Sequence, residues 1–134
     1  MRILSILAAA ALAGCASSAA VPLSADTVQI TASAAPICGG TGAANVASKA
    51  AASETLRRGF DKYVIVGSQA QNNVSTAYVW NQYGGGPVVS GSHDHGLLVK
   101  MFRDGDTNGA NALSARDVLG PKWQEIIQNP TMTC

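Results

Sequence analysis

Ala51-Ala52-Ser53-Glu54-Thr55-Leu56-Arg57-Arg58-Gly59-Phe60-Asp61-Lys62-Tyr63-Val64-Ile65-Val66 decides the reading of this chain, because one periodicity stops inside it and another begins. Ala52, Leu56 and Phe60 recur every four residues, the repeat of a single helix face. Gly59 stands where a residue free to take the left-handed conformation closes a helix. Tyr63 to Val66 then reads as a buried strand, and Leu56 and Phe60 are expected to pack the helix onto it.

Upstream, the helix is expected to run from Ala43 to Arg58, with Thr41 as its N-cap and Gly39-Gly40-Thr41-Gly42 leading in. Before it, Thr27-Val28-Gln29-Ile30-Thr31 alternates and is rich in β-branched residues, which predicts a strand with Val28 and Ile30 inward, ended by Pro36. Downstream, Gln69 to Asn73 reads as a polar turn and Thr76 to Trp80 as a strand returning antiparallel. Gly84 to Ser92 is a glycine-serine region with room for a brief strand and is otherwise expected to be mobile. Gly96 to Phe102 is the last strong strand, expected to be central, with Leu97, Val99 and Met101 on one face and Leu98 and Phe102 on the other. Ser114 with Asp117 fits a capping box for a second helix striped by Val118, Leu119, Trp123, Ile126 and Ile127. Gly120-Pro121 interrupts that helix, with Pro121 at N1 of the second segment. The sum is an α+β fold, a small antiparallel sheet of four to five strands with two helices packed on one face.

The amino end has a different character. Met1-Arg2 supplies one positive charge, and Ile3 to Leu12 is an apolar run of signal-peptide length, short of the roughly 20 residues a membrane span needs. It closes on Leu12-Ala13-Gly14-Cys15, which resembles a bacterial lipobox. The resemblance implies cleavage before Cys15, a diacylglycerol on its sulfur and an acylated amine. With Ala16 rather than aspartate next, it also implies the periplasmic face of the outer membrane. The division that follows is residues 1–14 as signal peptide, 15–25 as lipidated N-terminus and flexible tether, and 26–134 as one domain. The 51–66 segment is itself similar to a pattern in small proteobacterial lipoproteins, an Ala-rich helix with Glu-x-Leu ending in Arg-Gly-aromatic before a strand; that likeness implies a fold element and no activity.

Nine Lys plus Arg stand against eight Asp plus Glu, so loss of Arg2 leaves eight against eight and a formal charge of zero. Such a chain has no electrostatic footprint for nucleic acid. With Cys15 given to lipid, Cys38 and Cys134 remain as an even pair for a disulfide in an oxidising compartment. Closing a loop near 100 residues contributes up to about 4.7 kcal/mol on the chain-entropy account.

Two clusters carry possible metal chemistry. His93 and His95 share one side of an extended backbone and suit Zn²⁺ or Cu²⁺, but no third ligand accompanies them. Asp104-Gly105-Asp106-Thr107-Asn108-Gly109 matches the first half of a calcium loop, yet Ala115 occupies the closing glutamate's place and Asp117 comes two residues late. Asp, Asn and Gly also build ordinary turns. Gly40-Thr41-Gly42 resembles an anion-binding helix entry, without the third glycine (Asn45) or a following Gly-Lys-Ser/Thr. No Gly-x-Ser-x-Gly or paired-carboxylate setting marks an enzyme. The expectation is therefore a lipid-anchored, non-catalytic envelope lipoprotein without cofactor, its partners the membrane through its lipid and an envelope protein. The alternative is a metal-binding lipoprotein using His93 and His95.

Overall fold

A computed structural model of the chain describes residues 16–82 and 84–128. The helix closes where Gly59 predicts. The Gly59 N–H (φ +84°) donates to the Leu56 carbonyl and the Phe60 N–H to that of Thr55, a Schellman pair that satisfies two terminal carbonyls and turns the chain toward the next strand. The other end of this helix, α1 (Gly39–Arg57), differs from expectation. A 3-10 turn over Pro36–Cys38 feeds it, Cys38 is the N-cap, and Thr41 lies exposed inside the first turn without capping anything. The early start brings Gly42 and Ala43 into the buried layer.

The sheet is antiparallel throughout, as the α+β reading requires. Five strands run in the order β1 (Ala16–Pro22), β2 (Thr27–Ala34), β6 (His93–Phe102), β3 (Lys62–Asn72) and β7 (Leu113–Ser114). A separate pair is formed by β4 (Ser75–Asn81) and β5 (Gly84–Ser90). Two short helices, α2 (Ala115–Leu119) and α3 (Trp123–Gln128), complete the order. Ser114 caps α2 as expected, accepting from the Asp117 N–H, while α3 begins at Trp123, two residues past Pro121.

One face of the sheet carries the core. Val28, Ile30 and Ala32 of β2, Leu97, Val99 and Met101 of β6, and Tyr63 of β3 meet Val46, Ala47, Ala50 and Ala51 of α1. Among the described residues, half of the sixteen buried hydrophobic side chains are alanines, so the helix backbone comes close to the sheet and the interior is filled with little side-chain volume. Leu56 and Phe60 are partly buried and pack against this core, which includes Tyr63.

Several expectations are corrected by strand pairing. Ala16 to Pro22 lies within the stretch read as tether, yet it is an edge strand paired with β2 along its whole length, from Ala16 opposite Ala34 to Pro22 opposite Val28. Alanine and serine have little strand preference of their own; the ladder, with Ala16 and Ala20 packed on the core, supplies it. Of the strand read as buried, only Tyr63 is buried, and Ile65 and Val66 are exposed because α1 lies chiefly over β2 and β6. Gln69 to Asn72 continues β3, and Asn73 begins the short break after it, so this stretch is no turn. Thr76 to Trp80 does not fold back on β3 but pairs with β5, which spans seven residues of the region read as largely mobile.

Because alanine volumes set the spacing between helix and sheet, enlarging one should cost more than removing an exposed hydrophobe. Ala51→Leu is expected to lower the unfolding free energy by about 1–3 kcal/mol, and Val66→Ser, at 55% exposure, to stay within about 0.5 kcal/mol of the parent. Urea unfolding of both variants checks this; equal effects would contradict the assigned core.

Candidate functional site

The two halves of the β3–β6 pairing differ in register. Before the bulge at Ile65/Gly67, Lys62 faces Phe102; beyond it, Gly67 faces Leu98 and Asn72 faces His93. The same register is kept by β4 and β5, from Ser75 opposite Ser90 to Asn81 opposite Gly84. Between the two ladders the Asn73 N–H donates to the Ser92 carbonyl at 2.9 Å. The strands β3–β4 and β5–β6 are thus one ribbon. Its outer part, from Asn73 and Ser92 to Asn81 and Gly84, extends beyond the five-stranded sheet by nine residue pairs, about 30 Å at strand rise.

This arm leaves the sheet at a defined end. Ala16, Ala34, His93 and Asn72 lie side by side in the register, so the chain enters β1 at the same end from which the arm departs. Gly91 sits at the root with φ +113°, and a Cβ there would fall 2.0 Å from the Asn73 carbonyl oxygen, so the two strands close to this distance only over glycine.

The arm is apolar and, among the described residues, uncovered. Thr76, Tyr78 and Trp80 share one face with Val89, Pro87 and Gly85, and Trp80 lies over Gly85, where a Cβ would meet its ring at 2.4 Å. Tyr78 is 74% and Trp80 79% exposed. Val79 and Val88 are exposed on the opposite face. No Asp, Glu, Lys or Arg occurs between Lys62 and Asp94. The charges collect elsewhere: Glu54 with Arg58, Lys62 with Asp104, and Arg116 with Asp61 pair around the far end of α1 and the turns beside it. Arg57 donates there to the Ile127 carbonyl, and Arg116 lies over the Trp123 ring at 4.7 Å. The molecule therefore has a charged end and, with Asp94 the one charged residue at the arm root, a nearly uncharged one.

Asp94 is occupied with the arm's root. Its carboxylate accepts from the Ser33 hydroxyl at 2.6 Å, the Ser92 hydroxyl at 2.9 Å and the Asn73 amide at 2.6 Å, joining β2 to both strands where they leave the sheet. The Ser33 hydroxyl first, then that of Ser92, hold its carboxyl below the usual carboxylate range, with Asn73 adding to them.

The residues singled out for metal chemistry do not gather a site. His93 and His95 lie within β6, half-buried on the side that carries α1, opposite Ala34 and Ala32 on one neighbour and Asn72 and Ala70 on the other. Asp104 takes its backbone N–H to Asp61 and faces Lys62, Asp106 accepts from the Asn108 N–H, and residues 107–109 form a 3-10 turn. This is turn chemistry, with Gly109 against the Phe102 ring. Among the described residues no three His, Cys, Asp or Glu converge where they could hold a metal ion. Gly40-Thr41-Gly42 lies inside α1, which starts before it. Cys38 is disulfide-bonded, while Cys15, read as the lipidation site, and Cys134, its expected partner, lie outside the described residues, as does the signal sequence. No helix among the described residues is long and apolar enough to cross a membrane. No protein-family model, curated protein or solved structure matches the chain.

A carboxyl whose folded pKa is depressed stabilises the fold fully above its unfolded value, about 3.9, and loses that contribution as pH falls through the folded value. The cross-strand NMR contacts between Asn73 and Ser92 should accordingly persist from neutral pH to about 4 and weaken below it. In Asp94→Asn they should already be weak at neutral pH, with the Met101 methyl signals unchanged. Intact root contacts in Asp94→Asn would show that the three donors do not hold the arm.

Proposed function

We propose that this chain is an envelope lipoprotein, held to the periplasmic face of the outer membrane by lipid on Cys15, whose folded unit serves as a non-catalytic interaction module with the arm as its binding surface. The observation that carries the reading is the arm itself. A two-stranded ribbon with exposed aromatic side chains on one face and exposed valines on the other is marginal alone in water, and exposed apolar surface of this kind marks a contact. Support for the address comes from the amino-terminal pattern, a short apolar run ending in Leu12-Ala13-Gly14-Cys15. The oxidising compartment that this address implies suits a disulfide at Cys38. We assign its partner as Cys134, since lipid on Cys15 leaves no other thiol.

Cys15→Ser should abolish labelling by a fatty-acid probe and leave the precursor uncleaved; parental labelling of that variant would refute the anchor. Mass spectrometry of unreduced protein from its native compartment should yield a Cys38–Cys134 linked peptide. A Cys15–Cys38 linkage would leave no sulfur for lipid and overturn both assignments together.

A further inference from the structure

We propose that the arm's partner is the membrane itself: its Tyr78 and Trp80 lie in the headgroup–acyl boundary of the bilayer to which the chain is anchored. The inference rests on the lipid-anchor reading of Cys15, and its argument is one of position. β1 begins at Ala16, the residue after Cys15, so no flexible segment separates an anchor from the folded unit. The end of the sheet at which Ala16 enters is then held at the membrane surface. The arm leaves from that same end, where Ala16, Ala34, His93 and Asn72 stand in one row.

The chemistry of that end suits a lipid surface. No Asp, Glu, Lys or Arg occurs from Tyr63 to His93, and the depression beside the entry point is lined by Ala16, Ala34, Ala35, Pro36 and Gly91 with three serines. The ion pairs lie at the opposite end, where water remains. Tryptophan and tyrosine favour the interface because the ring is apolar and the N–H or O–H still finds a partner. Backbone hydrogen bonding sets the depth. Among the described residues both outer edges of the β4–β5 pair are unpaired, and hydrocarbon offers an unpaired backbone N–H or C=O no hydrogen-bond partner. The arm therefore lies in the boundary, about 5–10 Å deep, rather than crossing it.

The test uses the full lipidated chain with Trp123→Phe, leaving Trp80 as its one tryptophan. It is reconstituted in phosphatidylethanolamine–phosphatidylglycerol vesicles with and without bromine on the acyl chains. Trp80 emission should shift to the blue and fall by roughly twofold with brominated lipid, as for a ring at the acyl boundary. The companion Trp80→Phe chain, reporting Trp123 at the charged end, should be unquenched. Unquenched Trp80 in protein that carries fatty acid and floats with the vesicles overturns the proposal and leaves the anchor standing. Absence of fatty acid and of flotation overturns it through its premise. Shielding of Trp80 that disappears on dilution into excess lipid also overturns it, because the occupant is then a second copy pairing along the open edges.

Discussion

The close seat of an alanine-rich helix on two strands is the contact on which the rest of the molecule depends. Ala47, Ala50 and Ala51 lie over Val28, Ile30, Leu97 and Val99 with little volume between backbones, so α1 covers β2 and β6 tightly and β3 only in part. Nineteen helical residues span about 28 Å, whereas the ribbon from Lys62 to Asn81 spans about 65 Å. More than half of the ribbon thus runs out from under its helix. The bulge at Ile65/Gly67 marks the place, and exposure of Ile65 and Val66 begins there. A small interior and a long bare arm are two results of one arrangement.

That arrangement also sorts the polar groups. Helix ends and turns need capping, and they gather where α1 stops: Arg57 on the Ile127 carbonyl, Arg58 on Glu54, Asp61 on the Asp104 N–H. The other end has strand ladders, which pair the inward backbone groups of the ribbon strand to strand without calling on side chains. Asp94 is the exception, and its position explains it. Three strands diverge there, and a single carboxylate can accept from all of them at once.

What could be read in the sequence was what local chemistry determines. Gly59 and Ser114 announced their caps, and the alternation in Val28-Gln29-Ile30 announced an inward face. β1 is illegible in the sequence because Ala and Ser carry no strand signal, and only β2, already in place, gives that segment its conformation. Gln69 to Asn72 imitates a turn for the converse reason: its residues suit a loop, but they pair across the ribbon with residues more than twenty positions away. The arm was visible in pieces, as a strand at Thr76 to Trp80 and a glycine-serine region, while its continuity lives in a register that no local window contains. His93 and His95 share one side of an extended strand, as a spacing of two dictates.

The composition of the arm bears on how it avoids becoming a hazard. An exposed ribbon with two open edges and no charge is a template for strand addition by other copies. Natural edges are commonly blunted with lysine, proline or a bulge. Here Pro87 removes one donor from β5, and Gly84, Gly85 and Gly86 weaken the same strand. No lysine guards either edge. A charge in this position would blunt the edge and would equally forbid burial in an apolar boundary. An arm left without that guard is protected only if its faces are covered, and under the proposed anchor the entry of β1 at the same end of the sheet would let a lipid on Cys15 bring that cover within reach.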